Sequence, residues 1–440
     1  MPLNARLFIW FRLLFNCRFY YPIFTVFFLD IGLSIGEFAA LNVVWAITIV
    51  LLEVPSGALA DQFGRRPLIV FAGWLMVAEM AVLCLMPVGN HDAVLWLFVL
   101  NRILSGAAEA AASGADEALA YDSLPAAERP TLWPNLMAKL SRAMAIGFII
   151  SSVSGGFLYD HDKITAVMGW FGLAPLDRVW TMKIPLALNF LTGVACLLVT
   201  LRMVEPEPEE GQVAKSDDWR QEAKLAFARI WETGRWIWKT HAAFTLILLG
   251  VVFDSIIRLF LTVSSNFYRL VGITEAWYGI IGTVASLLGL ATAGLMERMS
   301  TKGSLRGNFT WLALMAFVGL WFAAHPQPGF IGVALVVPIM LAMRFLQFFL
   351  SYYLNDIVDS GRRATALSFR GLTINLAYGI MTLLFGFQTQ WLQHHLNLPA
   401  DDNRVFATSL TWWPWWFLGT LAIALIWLRL RRPKGPAAAM

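Results

Sequence analysis

Charge is what this sequence has least of. Of its 440 residues only 14% are Asp, Glu, Lys or Arg, and 58% are hydrophobic, whereas soluble domains carry about 25% charged residues. So few charges cannot cover a soluble surface of this size, which excludes a soluble enzyme or binding module. Cysteine is nearly absent. Cys17, Cys84 and Cys196 lie inside apolar blocks, odd in number and without C-x-x-C spacing. That excludes a disulfide framework and leaves packing as their expected role. The six histidines are scattered, and the adjacent His394 and His395 are poorly placed to share a metal, so no metal site is expected. Also missing are a Gly-rich phosphate loop ahead of a helix and any nucleophile–base–orienter set. Direct ATP use and catalysis are therefore not expected, and no cofactor is implied: the chain is not read as an enzyme. No A-x-A-like cleavage site follows the first apolar block, so the first helix is expected to stay in place.

What fills the sequence instead is long apolar blocks. A helix needs about 20 apolar residues to cross a bilayer, and the blocks predict spans at 7–31, 38–60, 68–88, 93–121, 135–158 and 183–203, then 242–267, 274–296, 308–325, 329–354, 366–390 and 410–430. That makes about twelve spans. Arg6, Arg65, Arg66, Arg129, Lys139, Arg298, Lys302, Arg306, Arg362, Arg363, Arg429, Arg431, Arg432 and Lys434 fall on one side with the central loop. Lys163, Arg178, Lys183, Arg269 and Arg404 fall on the other. This bias of roughly four to one places both termini in the cytoplasm by the positive-inside rule. The net charge of +4 thus reads as a topology signal, with no nucleic acid among the expected partners.

The central loop divides the chain into 1–203, a linker at 204–241 and 242–440. The linker opens with the acidic run Glu205 to Glu210, and Ser216, Asp217 and Asp218 offer a helix N-cap with acid in the first turn. Trp219, Ala223, Ala226, Phe227, Ile230, Trp231 and Trp238 then recur near helical spacing, flanked by Arg220, Lys224, Arg229 and Arg235. This predicts an amphipathic helix on the inner membrane surface. The aromatic run Trp412, Trp413, Trp415 and Trp416 reads as an interfacial belt at the outer end of the last helix.

Between the second and third spans, Gly57, Leu59, Ala60, Asp61, Gly64, Arg65 and Arg66 fall in the order G-x-L-A-D-x-x-G-R-R. This resembles the signature loop of the major facilitator superfamily, and it sits between the correct helices. The resemblance implies an all-α membrane protein with the twelve-helix fold of that superfamily, two pseudo-symmetric six-helix bundles working by alternating access. It also implies that Gly57, Asp61, Gly64, Arg65 and Arg66 form a gating loop that bridges helices across the two halves in one transport state. A degraded copy at Gly294, Glu297, Arg298, Lys302 and Arg306 fits two related halves. Arg102 and Gly106 resemble the family's R-x-x-x-G element, associated in proton-driven exporters with coupling. In the fifth span, Gly147, Ser154, Gly155 and Gly156 partly match the exporter motif without its Gly-Pro pair.

Charges inside the spans are costly and point to cavities or partners. They fall at Arg18, at Arg102, Glu109 and Asp116, at Asp254 and Arg258, and at Arg344, on helices one, four, seven and ten, which in the resembled fold line the central cavity. Glu79 in the third span has no evident place in this pattern. Arg102, Glu109 and Asp116 are spaced by seven and so share one helix face, with Gly106 and Ser113. Glu109, near mid-membrane, is a proton-coupling candidate with Arg102 and Asp116; a structural ion pair between Arg102 and Glu109 is the other reading. Asp254 and Arg258, one turn apart with the acid first, predict a self-satisfied pair. Arg18, Tyr21, Asp254, Arg258 and Arg344 are the candidate substrate contacts, with pairing across the bundle as the other reading of Arg18. The function these features imply is secondary active transport of a small-molecule substrate coupled to protons, with export favoured over nutrient or metabolite uptake, and a non-transporting membrane sensor or assembly factor as the rival class. The setting implied is the lipid bilayer of a bacterial cytoplasmic (inner) membrane, with the protein a monomer.

Overall fold

The computed structural model describes residues 2–206, 219–358, 360–399 and 402–431. Among the described residues every regular element is helical. In chain order they are α1 (Leu3–Asn16), α2 (Phe24–Asp30), α3 (Ile35–Phe63), α4 (Arg65–Cys84), α5 (His91–Ala112), α6 (Ala115–Asp122), α7 (Arg129–Tyr159), α8 (His161–Trp170) and α9 (Arg178–Leu201). There follow α10 (Trp219–Lys239), α11 (His241–Thr262), α12 (Ser264–Leu270), α13 (Tyr278–Ala291) and α14 (Ala293–Lys302). The last are α15 (Leu305–Ala324), α16 (Gly329–Ile357), α17 (Ser360–Leu396), α18 (Asn403–Leu410) and α19 (Trp413–Leu430).

Ten helices among the described residues are long and apolar enough to cross a membrane, or eleven when the pair Glu275–Ala291 and Ala293–Lys302, bent by 42°, counts as one span. The remaining expected span, 7–31, is not one helix. It breaks into α1 and α2 around a 3-10 turn at Tyr21–Ile23, because Pro22 has no N–H to continue an α-helical ladder and sits instead in the first positions of that turn. Arg18 reinforces the break by donating from Nε to the Phe15 carbonyl at 2.9 Å, satisfying an acceptor at the end of α1. A second expected helix, 93–121, also breaks. Gly114 takes a φ of +74°, which only glycine adopts freely, and a new helix starts at Ala115.

The chain forms two compact units. The first holds Met1–Leu33, Val44–Phe227 and Thr274–Thr283; the second holds Ser34–Val43, Ala228–Ile273 and Val284–Met440. In the first unit, Leu7, Phe11 and Phe15 of α1 pack with Ile69, Ala72 and Met76 of α4 and with Ala108, Ala111 and Ala115. Cys196 is buried in the same cluster; it and the other two cysteines are free thiols. Small residues set the approach of α5 to α3: a Cβ on Gly106 would lie 2.9 Å from the Thr48 Cβ. Ser56 Oγ closes the same crossing by donating to the Ala110 carbonyl at 2.7 Å.

In the second unit, the C-terminal part of α10 is seated on its neighbours. Arg431 donates to the Trp238 carbonyl at 2.6 Å and lies over the Trp238 and Phe244 rings. Phe227, Trp231 and Trp238 are exposed along α10, while the expected cap at Ser216 to Asp218 lies outside the described residues. The aromatic run at the start of α19 is not uniformly exposed. Trp415 is exposed, but Trp413 is wholly buried, edge-on to Phe385 at 5.3 Å and donating to Gln388 at 3.4 Å.

Candidate functional site

The signature loop owes its shape to Gly64, whose φ of +98° lets the chain turn from α3 into α4. The first backbone N–H groups of α4 are unsatisfied within the helix, and the Glu205 carboxylate accepts from two of them, Arg65 N at 2.9 Å and Arg66 N at 2.7 Å. A negative group at a helix N-terminus is also favoured by the helix dipole. Arg65 pairs with Asp122 at the end of α6. Arg66 donates to the Met203 carbonyl at 2.6 Å and the Leu201 carbonyl at 3.2 Å, capping α9. These contacts all join elements of the first unit. The Asp61 side chain lies outside the described residues, and Gly57 is exposed. Glu205 escaped the sequence reading because nothing local distinguishes it from the other acids of its run.

Glu79 finds its place as the partner of Arg18: Nη1 lies 3.2 Å from Oε2, with side chains 4% and 0% exposed. Beside them Asn101 donates to the Glu79 carbonyl at 3.1 Å and accepts twice from Arg102, at 3.0 and 2.6 Å. Arg102 is buried and pairs with neither Glu109 nor Asp116. Its guanidinium instead sits over the faces of Phe24 and Phe28 at 5.3 and 5.4 Å, where ring quadrupoles stabilise a cation. Tyr21 is exposed by contrast.

The seven-residue spacing does not hold Arg102, Glu109 and Asp116 on one continuous helix, because Gly114 intervenes. Asp116 sits in the first turn of α6 and pairs with Arg12 at 2.7 Å, while Arg12 also reaches Glu117 at 2.7 Å. Arg12 was not among the expected site residues. Glu109 is left by itself: its side chain is exposed and makes no hydrogen bond or ion pair among the described residues. Arg18, Arg12 and Glu79 nevertheless lie within electrostatic reach of it, as does Glu53 of α3. Glu109 is thus exposed with charged groups of the first unit around it. Glu53 has its Oε2 atom buried and without a hydrogen-bond partner among the described residues.

In the second unit Asp254 and Arg258 pair at 2.7 Å. Arg258 also donates to Asn375 at 2.9 Å and lies over the Tyr378 ring, whose hydroxyl is 3.0 Å from Thr262 Oγ1. Arg344 stands apart on α16 with its side chain exposed. Among the described residues no group of three or more His, Cys, Asp or Glu is placed to hold a metal ion.

The arrangement offers paired charges that hold helices together, an accessible lone carboxylate and an accessible lone guanidinium, which are tools for binding and releasing ions or solutes. No curated protein sequence matches the chain. Solved structures do match over nearly its whole length: a bacterial homologue of the human lysosomal transporter Spinster, in an inward-facing and unoccupied conformation, at 15% identity and a TM-score of 0.71 over 99% of both chains. The nucleoside transporter NupG matches at 12% identity and a TM-score of 0.68, over 99% of this chain and 100% of the other. A D-xylose-proton symporter matches at 14% identity and a TM-score of 0.62, over 100% of this chain and 99% of the other. At such identities the likeness is one of fold. The family model for the Major Facilitator Superfamily matches residues 8–381, so this multi-pass membrane chain belongs to that superfamily of transporters and is not an enzyme.

Proposed function

We propose that the protein is a proton-coupled secondary transporter that moves a small molecule across the cytoplasmic membrane by alternating access, with Glu109 as the proton carrier. The observation that carries this reading is the state of Glu109. Arg12, Arg18, Glu79, Arg102 and Asp116 are each held by a partner or an aromatic face, which suits a structural role. Glu109 is exposed and without an ion pair among the described residues, so it can exchange a proton with water without breaking one. Glu53, Arg18 and Arg12 lie close enough that a movement of α1 or α3 changes the charges facing Glu109.

Export is the direction supported by the likeness of Arg102 and Gly106 to the exporter element. Uptake draws its support from the symporter and the nucleoside transporter among the similar structures. One experiment separates them. The full chain and Glu109→Gln, at matched expression in an efflux-deficient bacterium, are compared for susceptibility to toxic solutes and for growth on otherwise excluded nutrients. Protection that Glu109→Gln abolishes supports proton-coupled export. New sensitivity or new growth, again lost in the variant, supports proton-coupled uptake. Identical behaviour of both proteins in the presence of transport refutes the role of Glu109.

A further inference from the structure

The second unit carries an unbalanced charge. Among the described residues, the carboxylate of Asp254 and the guanidiniums of Arg258 on α11 and Arg344 on α16 lie well inside their spans, and Arg370 lies a turn or two inside the span Thr365–Leu396 on α17. Asp254 is committed to Arg258 at 2.7 Å. Arg370 is half-buried and forms no hydrogen bond or ion pair among the described residues; Asp254 is the charge within its reach. Arg344 has no such partner. A cation held in a low-dielectric region without a counter-ion is costly, and such residues mark the paths of ions and substrates.

The direction that Arg344 faces follows from its helix. Position 344 is at the centre of α16, which runs from Gly329 to Ile357. The buried side of this stretch is apolar, with Ala342, Phe345, Leu346, Phe349 and Leu350. The exposed positions that follow Arg344 on the same face, Gln347 and Ser351, are polar at helical spacing. Acyl chains offer polar side chains no hydrogen bonds, so such a stripe faces water. The stem of Arg344 lies along α13, where Gly289 leaves room: a Cβ there would be 3.3 Å from Arg344 Cγ. The guanidinium is thus supported at its stem and open at its head, with five N–H donors that find no acceptor among the described residues.

We infer that Arg344 is an anion-binding residue and that the transported solute carries a carboxylate or phosphate, which Arg344 receives from the water-facing side of α16 with Gln347 as a neutral donor beside it. A planar guanidinium matches either group through two parallel N–H···O bonds, which a lysine at the same place would not reproduce. Arg370 supplies a second, longer-range positive charge. The inference deepens the transport reading and rests on it, since it names the class of solute. A phospholipid headgroup presents the same chemistry and has to be separated by experiment.

The test uses the full chain in phosphatidylcholine nanodiscs, followed by thermal unfolding with three sets of probes. These are mono- and dicarboxylates with sugar phosphates, uncharged pentoses and nucleosides, and quaternary ammonium compounds. The expected result is stabilisation by at least one carboxylate or phosphate. Arg344→Gln should weaken its apparent affinity roughly tenfold or more, and Arg344→Lys, which keeps the charge, should recover part of it and show that the site still folds. Stabilisation by neutral or cationic probes alone, or anion binding that Arg344→Gln leaves unchanged, overturns the inference and leaves transport standing. In nanodiscs that also contain phosphatidylglycerol, stabilisation by that lipid and by no soluble anion assigns the guanidinium to a lipid headgroup and also overturns it. If no probe of any class binds, and none is exchanged across proteoliposomes, the transport reading itself fails and the inference falls with it.

Discussion

A guanidinium and a carboxylate taken out of water each lose several kcal/mol of hydration, so a buried pair is held by its geometry and its further hydrogen bonds. Arg18 and Glu79 are such a pair, 4% and 0% exposed, and Arg18 spends a further donor on the Phe15 carbonyl. Glu79→Gln should therefore cost about 3–5 kcal/mol, because the arginine is left buried without its counter-charge. The double replacement Arg18→Met with Glu79→Leu should cost much less, since both charges leave together. Thermal unfolding of the purified chain and the two variants checks this; equal losses for the single and double variants would show that the pair does not act as a unit. The pairing was not legible in the sequence. Each residue stood out as a charge in an apolar block, but the partners are on different helices, and helical spacing relates only residues of one helix. The Asp254–Arg258 pair was legible for the opposite reason, being one turn apart on α11.

At the scale of the element, helix termini decide much of what the sequence left open. The expected first span is broken by Pro22 and the expected fourth by Gly114, and both residues were visible as helix breakers. Inside long apolar runs, however, hydropathy outweighs such signals, because a kinked or interrupted helix is as apolar as a straight one. The break at Gly114 also moves Asp116 to Arg12, so the regular spacing of Arg102, Glu109 and Asp116 does not describe one working face. The N-terminus of α4 shows the same dependence on distant chain. Its cap is Glu205, about 140 residues away in sequence, and the loop is further tied down by Arg65 to Asp122 and by Arg66 to the end of α9. Glu205→Gln should remove the charge at the helix N-terminus while keeping an acceptor, at a cost of about 0.3–1 kcal/mol. Glu205→Ala should cost about 1–2 kcal/mol by also leaving the N–H groups unpaired. A ranking of the two variants by unfolding midpoint tests this, and equal stability of Glu205→Ala and the parent chain would contradict it.

For the whole molecule, the membrane class and the superfamily were legible from composition, block length and one loop, because crossing a bilayer constrains composition more than any other structural task does. The residues proposed to work were only partly legible. Glu109 and Arg344 stood out because charge inside a span is rare, yet only the packing around them separates an accessible charge from one that bridges helices. Arg18 and Arg102, equally prominent in the sequence, are enclosed by Glu79, Asn101 and aromatic rings and so belong with the framework in this structure. Alternating access with an accessible carboxylate as the coupling group makes the central claim a claim about protons. The most direct measurement is the internal pH of proteoliposomes loaded with a pH-sensitive dye and challenged with a panel of candidate solutes. The account predicts that a transported solute moves protons with the parent chain, and that Glu109→Gln abolishes the pH change. Solute movement without any pH change, or a pH change that survives Glu109→Gln undiminished, would contradict it.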